Sequence, residues 1–404
     1  MITYQEAYNL VLANSTSFTR EKVALKDACN RILAEDILAD RDFPPFNRAT
    51  KDGIVCNYQS IEEGFSSLKV SGVISAGNPT KNIPDYKSAF EIMTGAVVPD
   101  NGDSVIMYEE LEFQEGYVVL PSQIKKGQNI HFKGSDLKKN ELVIKSPKLI
   151  GASEIGILAS VGKSEVWVKK LPKVAVISTG NELVEVEEEP EPYQIRKSNT
   201  LSLKATLESL KISADTIHLK DDKISIEKAV LQSLDTYDVL LISGGVSKGK
   251  FDFLPDAMTS CGVKKVFHRV LQRPGKPFWF GKHTNSNTTI FSFPGNPVST
   301  FANYHIYFIP WLKKSYGLSI NENNVILAEK INAHSTLTRY VPVKLRITSG
   351  KIFAEQVYQN GSGDLTSLTH TDGFVRLDAK TDGYPKETVV PFISTKFLSN
   401  LYDS

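Results

Sequence analysis

KVAVISTGNE (residues 173–182), TLSLKATLESL (200–210), ADTIHL (214–219), SIEKAVLQSL (225–234) and YDVLLISGGVSKG (237–249) decide the fold. Three apolar runs of strand length each lead into a loop, and helical runs follow two of those loops. Alternation of this kind specifies a parallel sheet with helices on its faces. VKKVFHRVL (263–271), PFWFG (277–281) and TTIFSF (288–293) read as further strands. A helix is expected from about Pro297, because Phe301, Tyr304, His305 and Phe308 recur at i, i+3, i+4, i+7 spacing.

On the N-terminal side the texture differs. Thr3 and Glu6 form a capping-box pattern ahead of Tyr4, Ala7, Tyr8, Val11 and Leu12 at helical spacing. A second short helix is expected over residues 28–34. From about residue 40, short β-type runs alternate with Gly, Pro and Asn clusters, which predicts a small all-β unit ending near residue 136. PKLIGASEIGILASVG (147–162) reads as a small-residue apolar helix that packs back on the opening helices, making the first domain discontinuous. The acidic stretch 185–191 (EVEEEPE) reads as a solvated loop, and beyond residue 319 the pattern is β-like to the end. The expected units are therefore 1–40 with 137–170, 41–136, 171–318 and 319–404.

Composition narrows the function. The 404 residues suggest roughly two to four domains. Apolar content of 41% and charged content of 23% are those of a soluble globular protein. A net charge of +1 makes nucleic acid a poor default partner. Three scattered cysteines (Cys29, Cys56, Cys261) form no disulfide framework and no CxxC pair, as expected in a reducing cytosol. No stretch approaches the roughly 18 apolar residues that span a bilayer. MITYQEAYNL lacks the charged-then-apolar pattern of a secretion signal, so the expectation is a cytoplasmic protein with no membrane partner.

In an open parallel sheet, ligands bind beyond the carboxyl ends of the strands. Four loops would meet there: Ser178-Thr179-Gly180-Asn181-Glu182, Asp221-Asp222, Ser243-Gly244-Gly245-Val246-Ser247 with Asp252 beyond, and Pro294-Gly295-Asn296-Pro297. Glycines and serines let backbone N–H groups approach a phosphate or oxyanion. Glu182, Asp221, Asp222 and Asp252 are hard oxygen donors suited to Mg²⁺ held between protein and phosphate. Arg273-Pro274-Gly275-Lys276-Pro277 is a rigid turn presenting two cations to an anion. Together these suit metal-assisted phosphoanhydride chemistry. Taken singly, each loop also reads as an ordinary turn or helix start, and their convergence carries the argument. Gly245-Val246-Ser247-Lys248-Gly249 also fits the G-x-S-x-G elbow of serine hydrolases, with Asp252 or Asp256 and His268, His283 or His305 in the required order.

STGNELVE (178–185), SGGVSKGKFDF (243–253), RPGKPFWFG (273–281) and FPGNPVS (293–299), preceded by NRATKDG (47–53), IMTGAVVP (92–99) and NIHFKGSDL (129–137), fall in the order of the molybdopterin molybdotransferases, bacterial MoeA and the gephyrin E domain. The chain resembles that family over nearly its whole length. The resemblance implies a multidomain α/β chain: a central MogA-like α/β sheet domain, a small β domain, a discontinuous linking domain and a C-terminal β domain, in a homodimer. It implies that molybdate is joined to adenylylated molybdopterin in a Mg²⁺-dependent step that releases AMP. By matching position it assigns catalytic roles to Asp52, Glu182, Asp252 and Lys276. It assigns substrate contacts to Thr94, Asp136, Ser178, Thr179, Gly180, Ser243, Gly244, Gly245, Ser247, Arg273, Pro294, Asn296 and Pro297. Metal contacts fall to Glu182, Asp221, Asp222 and Asp252, with Asp52 acting from across the dimer.

The sequence departs from the family pattern at three places. Lys51 and Ile54 flank Asp52-Gly53 where the family has A-M-D-G-Y-A, Arg273 stands where a lysine is common, and His131-Phe132-Lys133 replaces a more basic run before Gly134-Ser135-Asp136. Two rival readings are an adenylyltransferase acting on ATP and molybdopterin, and a non-catalytic scaffold that binds partner peptides. Docking with a separate adenylyltransferase is left open, as is tungstate in place of molybdate.

Overall fold

A computed structural model describes residues 1–246 and 253–396. Its centre is a six-stranded sheet in the order Ala214–Leu219, Val174–Thr179, Val239–Ser243, Thr289–Phe293, Trp279–His283, Val263–His268. The first four strands are mutually parallel, and the last two run antiparallel to their neighbours. Both faces are covered, so the parallel strands are apolar at successive positions rather than alternating with polar ones. The strand period of two still sorts the side chains. Val174, Val176, Val239 and Leu241 enter the core under helix Ser198–Ser209, and Ala175, Ile177, Leu240 and Ile242 the core under helix Lys223–Thr236. Each valine, leucine or isoleucine so buried contributes roughly 1.5–3 kcal/mol, and Ala175 less. The helix expected from Pro297 spans Pro297–Asn303, passes through a π-helical turn at Tyr304–Phe308 and continues as Ile309–Tyr316.

The N-terminal region holds two corrections. Residues 28–34 are not a helix. A short 3₁₀ turn at Leu25–Asp27 is followed by Asn30 at φ 64° and then strand Ile32–Leu33, which pairs with Lys148–Leu149 and contacts Glu165–Lys169. The β-branched and leucine pair gains more by completing that sheet than by extending one helical turn. The helix expected over 147–162 is shorter, Ala152–Ser160, with Gly151 N–H donating to Glu154 Oε2 at 2.9 Å. It does not pack on the opening helix. Leu158 sits with Ala28, Leu33 and Ile37, whereas Tyr4, Ala7 and Val11 of helix Tyr4–Ala13 enter the central-sheet core beside Tyr307 and Trp311.

Two β units flank this centre. One holds a six-stranded sheet ordered Ser104–Met107, Gly53–Cys56, Ser88–Ile92, Ser67–Ile74, Tyr117–Val119, Glu112–Gln114. Near the C-terminus, Thr338–Thr348, Lys351–Gln356, Asn323–Leu327, Val389–Ser394 and Gly373–Leu377 pair in turn, and the last returns to the first, closing a small barrel. A two-residue strand, Gln272–Arg273, adds in parallel to Thr338–Thr348 and ties the sheet domain to the barrel. Among the described residues, no helix is long and apolar enough to cross a membrane.

Candidate functional site: two joined clefts

The carboxyl ends of the parallel strands open into a cleft of about 600 Å³. Ser178, Thr179, Gly180 and Glu182 form one wall, with Asp221 beside them. Ser243, Gly244 and Gly245 form the floor, and Pro294, Asn296 and Pro297 the opposite wall. The glycine turn is required by packing. Gly244 and Gly245 have φ of 100° and 70°, and a Cβ on Gly244 would lie 2.8 Å from Thr179 Oγ1. At Gly180 (φ 138°) a Cβ would fall 2.4 Å from the Glu182 carboxylate.

Asn199, missed in the sequence, ties two of these loops together. Its Nδ2 donates to Ser243 Oγ at 2.9 Å and to the Gly295 carbonyl at 2.7 Å from the first turn of helix Ser198–Ser209. Asn181 and Asp221 are cross-linked. Asn181 N–H donates to Asp221 Oδ2 at 3.3 Å and Asp221 N–H to Asn181 Oδ1 at 3.2 Å. Asp222 has a different place: it does not line the cleft, and its Oδ2 accepts from Ser225 N–H at 2.9 Å as the N-cap of helix Lys223–Thr236. Hydrogen bonding from the Ser225 side chain, and then from its N–H, lowers the Asp222 pKa. Helix capping thus takes the carboxylate expected to hold metal.

The cationic turn opens into a second cleft of about 670 Å³, contiguous with the first through Pro277, Pro294 and Asn296. Arg273 and Lys276 line it, joined by His334, Arg339 and Ser362 from the barrel side. Buried polar groups hold the turn. Gln272 Nε2 donates to the Pro274 carbonyl at 2.9 Å and to Asn303 Oδ1 at 2.7 Å, and Asn303 Nδ2 donates to the Gly275 carbonyl at 3.2 Å. Gly275 sits at φ 87°, where a Cβ would be 2.3 Å from Asn303 Oδ1. Arg273 and Arg339 are register partners across the parallel pair. Burial, and then Arg273, lower the Arg339 pKa. Two arginines at paired register positions are suited chemically to an oxyanion. Asn296 spans the junction: it occupies the N-cap position of helix Pro297–Asn303, with Pro297 at its first turn, but its Nδ2 donates to Ser362 Oγ at 2.8 Å.

Asp52, Thr94 and Asp136 line neither cleft of their own chain. Thr94 N–H donates to Asp52 Oδ1 at 2.6 Å, which lowers the Asp52 pKa, and Asp136 Oδ1 lies 2.7 Å from His131 Nε2. Asp52-Gly53 is not a two-residue hairpin turn. Gly53 begins a strand between Ile92 and Met107, and a Cβ there would lie 1.8 Å from the Ile106 carbonyl oxygen. Ser247 and Asp252 lie outside the described residues. Of the histidines considered for a hydrolase triad, His305 is buried with Nδ1 2.8 Å from the Phe301 carbonyl, and His283 Nδ1 is 2.7 Å from Ser286 Oγ.

Residues 2–162 match the family described as MoeA N-terminal region (domain I and II), 175–314 the probable molybdopterin binding domain, and 324–394 the MoeA C-terminal region (domain IV). The chain is 34% identical over 396 residues to the molybdopterin molybdenumtransferase of Synechocystis sp., covering 97% of this chain and 99% of that one. The chain belongs to the molybdopterin molybdenumtransferase family. The family relative from Staphylococcus epidermidis is 30% identical over 408 residues, with 98% and 96% coverage. Among solved structures, a molybdopterin biosynthesis MoeA protein from Pyrococcus horikoshii OT3 superposes with a TM-score of 0.84 at 27% identity, covering 98% of this chain and 100% of that one.

Glu182 and Asp221 give carboxylate oxygens on one wall of the first cleft, and no group of three His, Cys, Asp or Glu capable of holding a metal occurs among the described residues. Two carboxylates of this kind could bind Mg²⁺ only together with substrate phosphates and several waters.

Proposed function

We propose that this chain is a molybdopterin molybdenumtransferase that joins molybdate to adenylylated molybdopterin, with release of AMP, in the last step of molybdenum cofactor assembly. The observation that carries the reading is the pair of contiguous clefts: one built of glycine turns and carboxylates, the other of cations, meeting at Pro294 and Asn296. The first suits a pyrophosphate with its metal, and the second suits molybdate, a tetrahedral dianion. Substrate and oxyanion are thereby held adjacent, and holding them so removes much of the entropic cost of the reaction.

Glu182 and Asp221 would hold Mg²⁺, which when bound supplies neutralising charge to the phosphates as their bond breaks. Backbone N–H groups of the turn after Ser243 stabilise charge developing on the departing phosphate. Gly244 N–H already donates to the Phe293 carbonyl at 3.1 Å, so the available donors begin at Gly245. Arg273, Lys276 and Arg339 orient molybdate. Water adds to the adenylyl phosphorus as the bridging P–O bond to the pterin phosphate breaks, and the AMP so formed leaves. The two dithiolene thiols bind molybdenum as one molybdate oxygen departs as water with their protons, so no side-chain nucleophile is required. We also read the chain as four units (1–40 with 137–170, 41–136, 171–318 and 319–404) in a cytoplasmic homodimer. The displacement of Asp52, Thr94 and Asp136 from both clefts of their own chain supports delivery of the small β unit by a second copy.

The test supplies purified protein with adenylylated molybdopterin, molybdate and Mg²⁺ and measures AMP and active cofactor. Molybdate-dependent AMP release is expected. Formation of the adenylylate from ATP and molybdopterin would instead favour the adenylyltransferase reading.

A further inference from the structure

The cleft at the sheet edge is proposed to hold a substrate with two linked phosphates, yet the cations expected to meet them, Arg273 and Lys276, line the adjoining cleft. Among the described residues lining the first cleft, the positive side chains are Arg196 and Lys197. Arg196 is exposed, and its Nε is tied to the Glu188 carbonyl at 3.2 Å. Lys197 differs: its side chain is only 10% exposed, and its ammonium is paired with Glu185, whose side chain is 58% exposed.

An ammonium withdrawn from water costs several kcal/mol unless paired, and a pair with so exposed a partner recovers little of that. The position explains where a better partner would come from. Lys197 directly precedes helix Ser198–Ser209, and its N–H donates to the Val184 carbonyl at 3.1 Å. The positive end of the helix dipole and the ammonium therefore favour an anion in the same volume, the cleft bounded by Ser243 and Gly244. Behind the cleft, Lys197 also lines a recess with Ser178 and His218. Burial, and then Lys197 itself, lower the His218 pKa, so the histidine is neutral at pH 7 and adds no competing charge.

We propose that Lys197 is the phosphate-binding cation of the first cleft, and that Glu185 is a resting counter-ion displaced when the substrate phosphates arrive. This assignment rests on the reading of the cleft as the site of the adenylylated pterin. Glu185 begins the exposed acidic stretch 185–191, so its release into water is inexpensive.

The test measures binding of adenylylated molybdopterin and, separately, of inorganic pyrophosphate to the full chain and to Lys197→Met, Lys197→Arg and Glu185→Gln, with thermal melting as the check on folding. Lys197→Met is expected to weaken both ligands about ten-fold, equivalent to ~1.4 kcal/mol. Lys197→Arg should stay within about three-fold of the parent, and Glu185→Gln should bind as tightly or more tightly. Parent-like binding by Lys197→Met overturns the assignment and leaves the cleft reading standing. A loss in Glu185→Gln equal to that in Lys197→Met overturns it too, because the pair would then be structural. If Lys197→Met melts early, Lys197→Arg and Glu185→Gln decide: an arginine that loses binding at parent-like melting overturns the proposal. A parent that binds pyrophosphate through Lys197 but not the pterin supports the assignment and removes the substrate reading. A parent that binds neither removes both.

Discussion

The two clefts share Pro277, Pro294 and Asn296 but are built in opposite ways. The first is made mostly by one domain. Its loops follow parallel strands, so the sheet itself delivers Glu182, Ser243 and Pro294 to one margin. The second exists only where the sheet domain meets the barrel, and the short pairing of Gln272–Arg273 with Thr338–Thr348 sets Arg273 beside Arg339. Close-packed glycines line the first, with Glu182 and Asp221 set against Arg196 and Lys197, whereas Arg273, Lys276 and Arg339 line the second. A charge-balanced space beside a cationic one would let a metal-bound phosphate and a free oxyanion be recognised separately, although both proposed substrates are anions.

If the clefts are independent in this way, the largest effect should follow Glu182→Gln. AMP release is expected to fall about 100-fold, while half-saturation by molybdate moves less than about three-fold. Single-turnover assays across a molybdate series would check this, and a large shift in molybdate half-saturation would break the division of labour. Next in size, Arg273→Ala combined with Lys276→Ala should raise the molybdate half-saturation by at least about ten-fold. Affinity for the adenylylated pterin, read by equilibrium binding, should change little. Equal loss of both ligands would mean that the two spaces act as one.

Gly244→Ala probes how rigid the first cleft is. Its φ of 100° and the 2.8 Å approach of a Cβ to Thr179 Oγ1 predict a stability loss of about 1–3 kcal/mol, seen as a lower melting temperature. Retention of the parent melting temperature would show that the turn can relax. Smallest is Ser362→Ala, which removes the 2.8 Å bond from Asn296 across the junction. Less than about 1 kcal/mol of stability should be lost, with under about three-fold change in molybdate half-saturation. A larger effect on turnover would reveal coupling between the clefts that their separate construction does not suggest.

The sequence made the first cleft legible because strand-loop-helix order fixes which loops share a sheet edge. It also misread some neighbours. Asp222 resembles Asp221 as a donor, but the start of a helix at Lys223 turns its carboxylate to the Ser225 N–H. Residues 28–34 carry enough apolar character for a helix, yet Ile32 and Leu33 pair with two strands that arrive from beyond residue 147. Asn199 and Lys197 gave no local signal. One is an amide at a helix start and the other a lysine among many, and only their placement above Ser243 and the glycine turn gives them work.

The amino-acid order by itself determined the parallel sheet, the glycine turns, the family likeness and the carboxylates of the first cleft, because each depends on hydrophobic period or on residues close together in the chain. The tertiary structure alone decided that the opening helix packs against Tyr307 and Trp311, that Arg273 stands beside Arg339, and that Lys197 is withdrawn from water. Those outcomes depend on which distant segments exclude water from one another, and no local pattern encodes that.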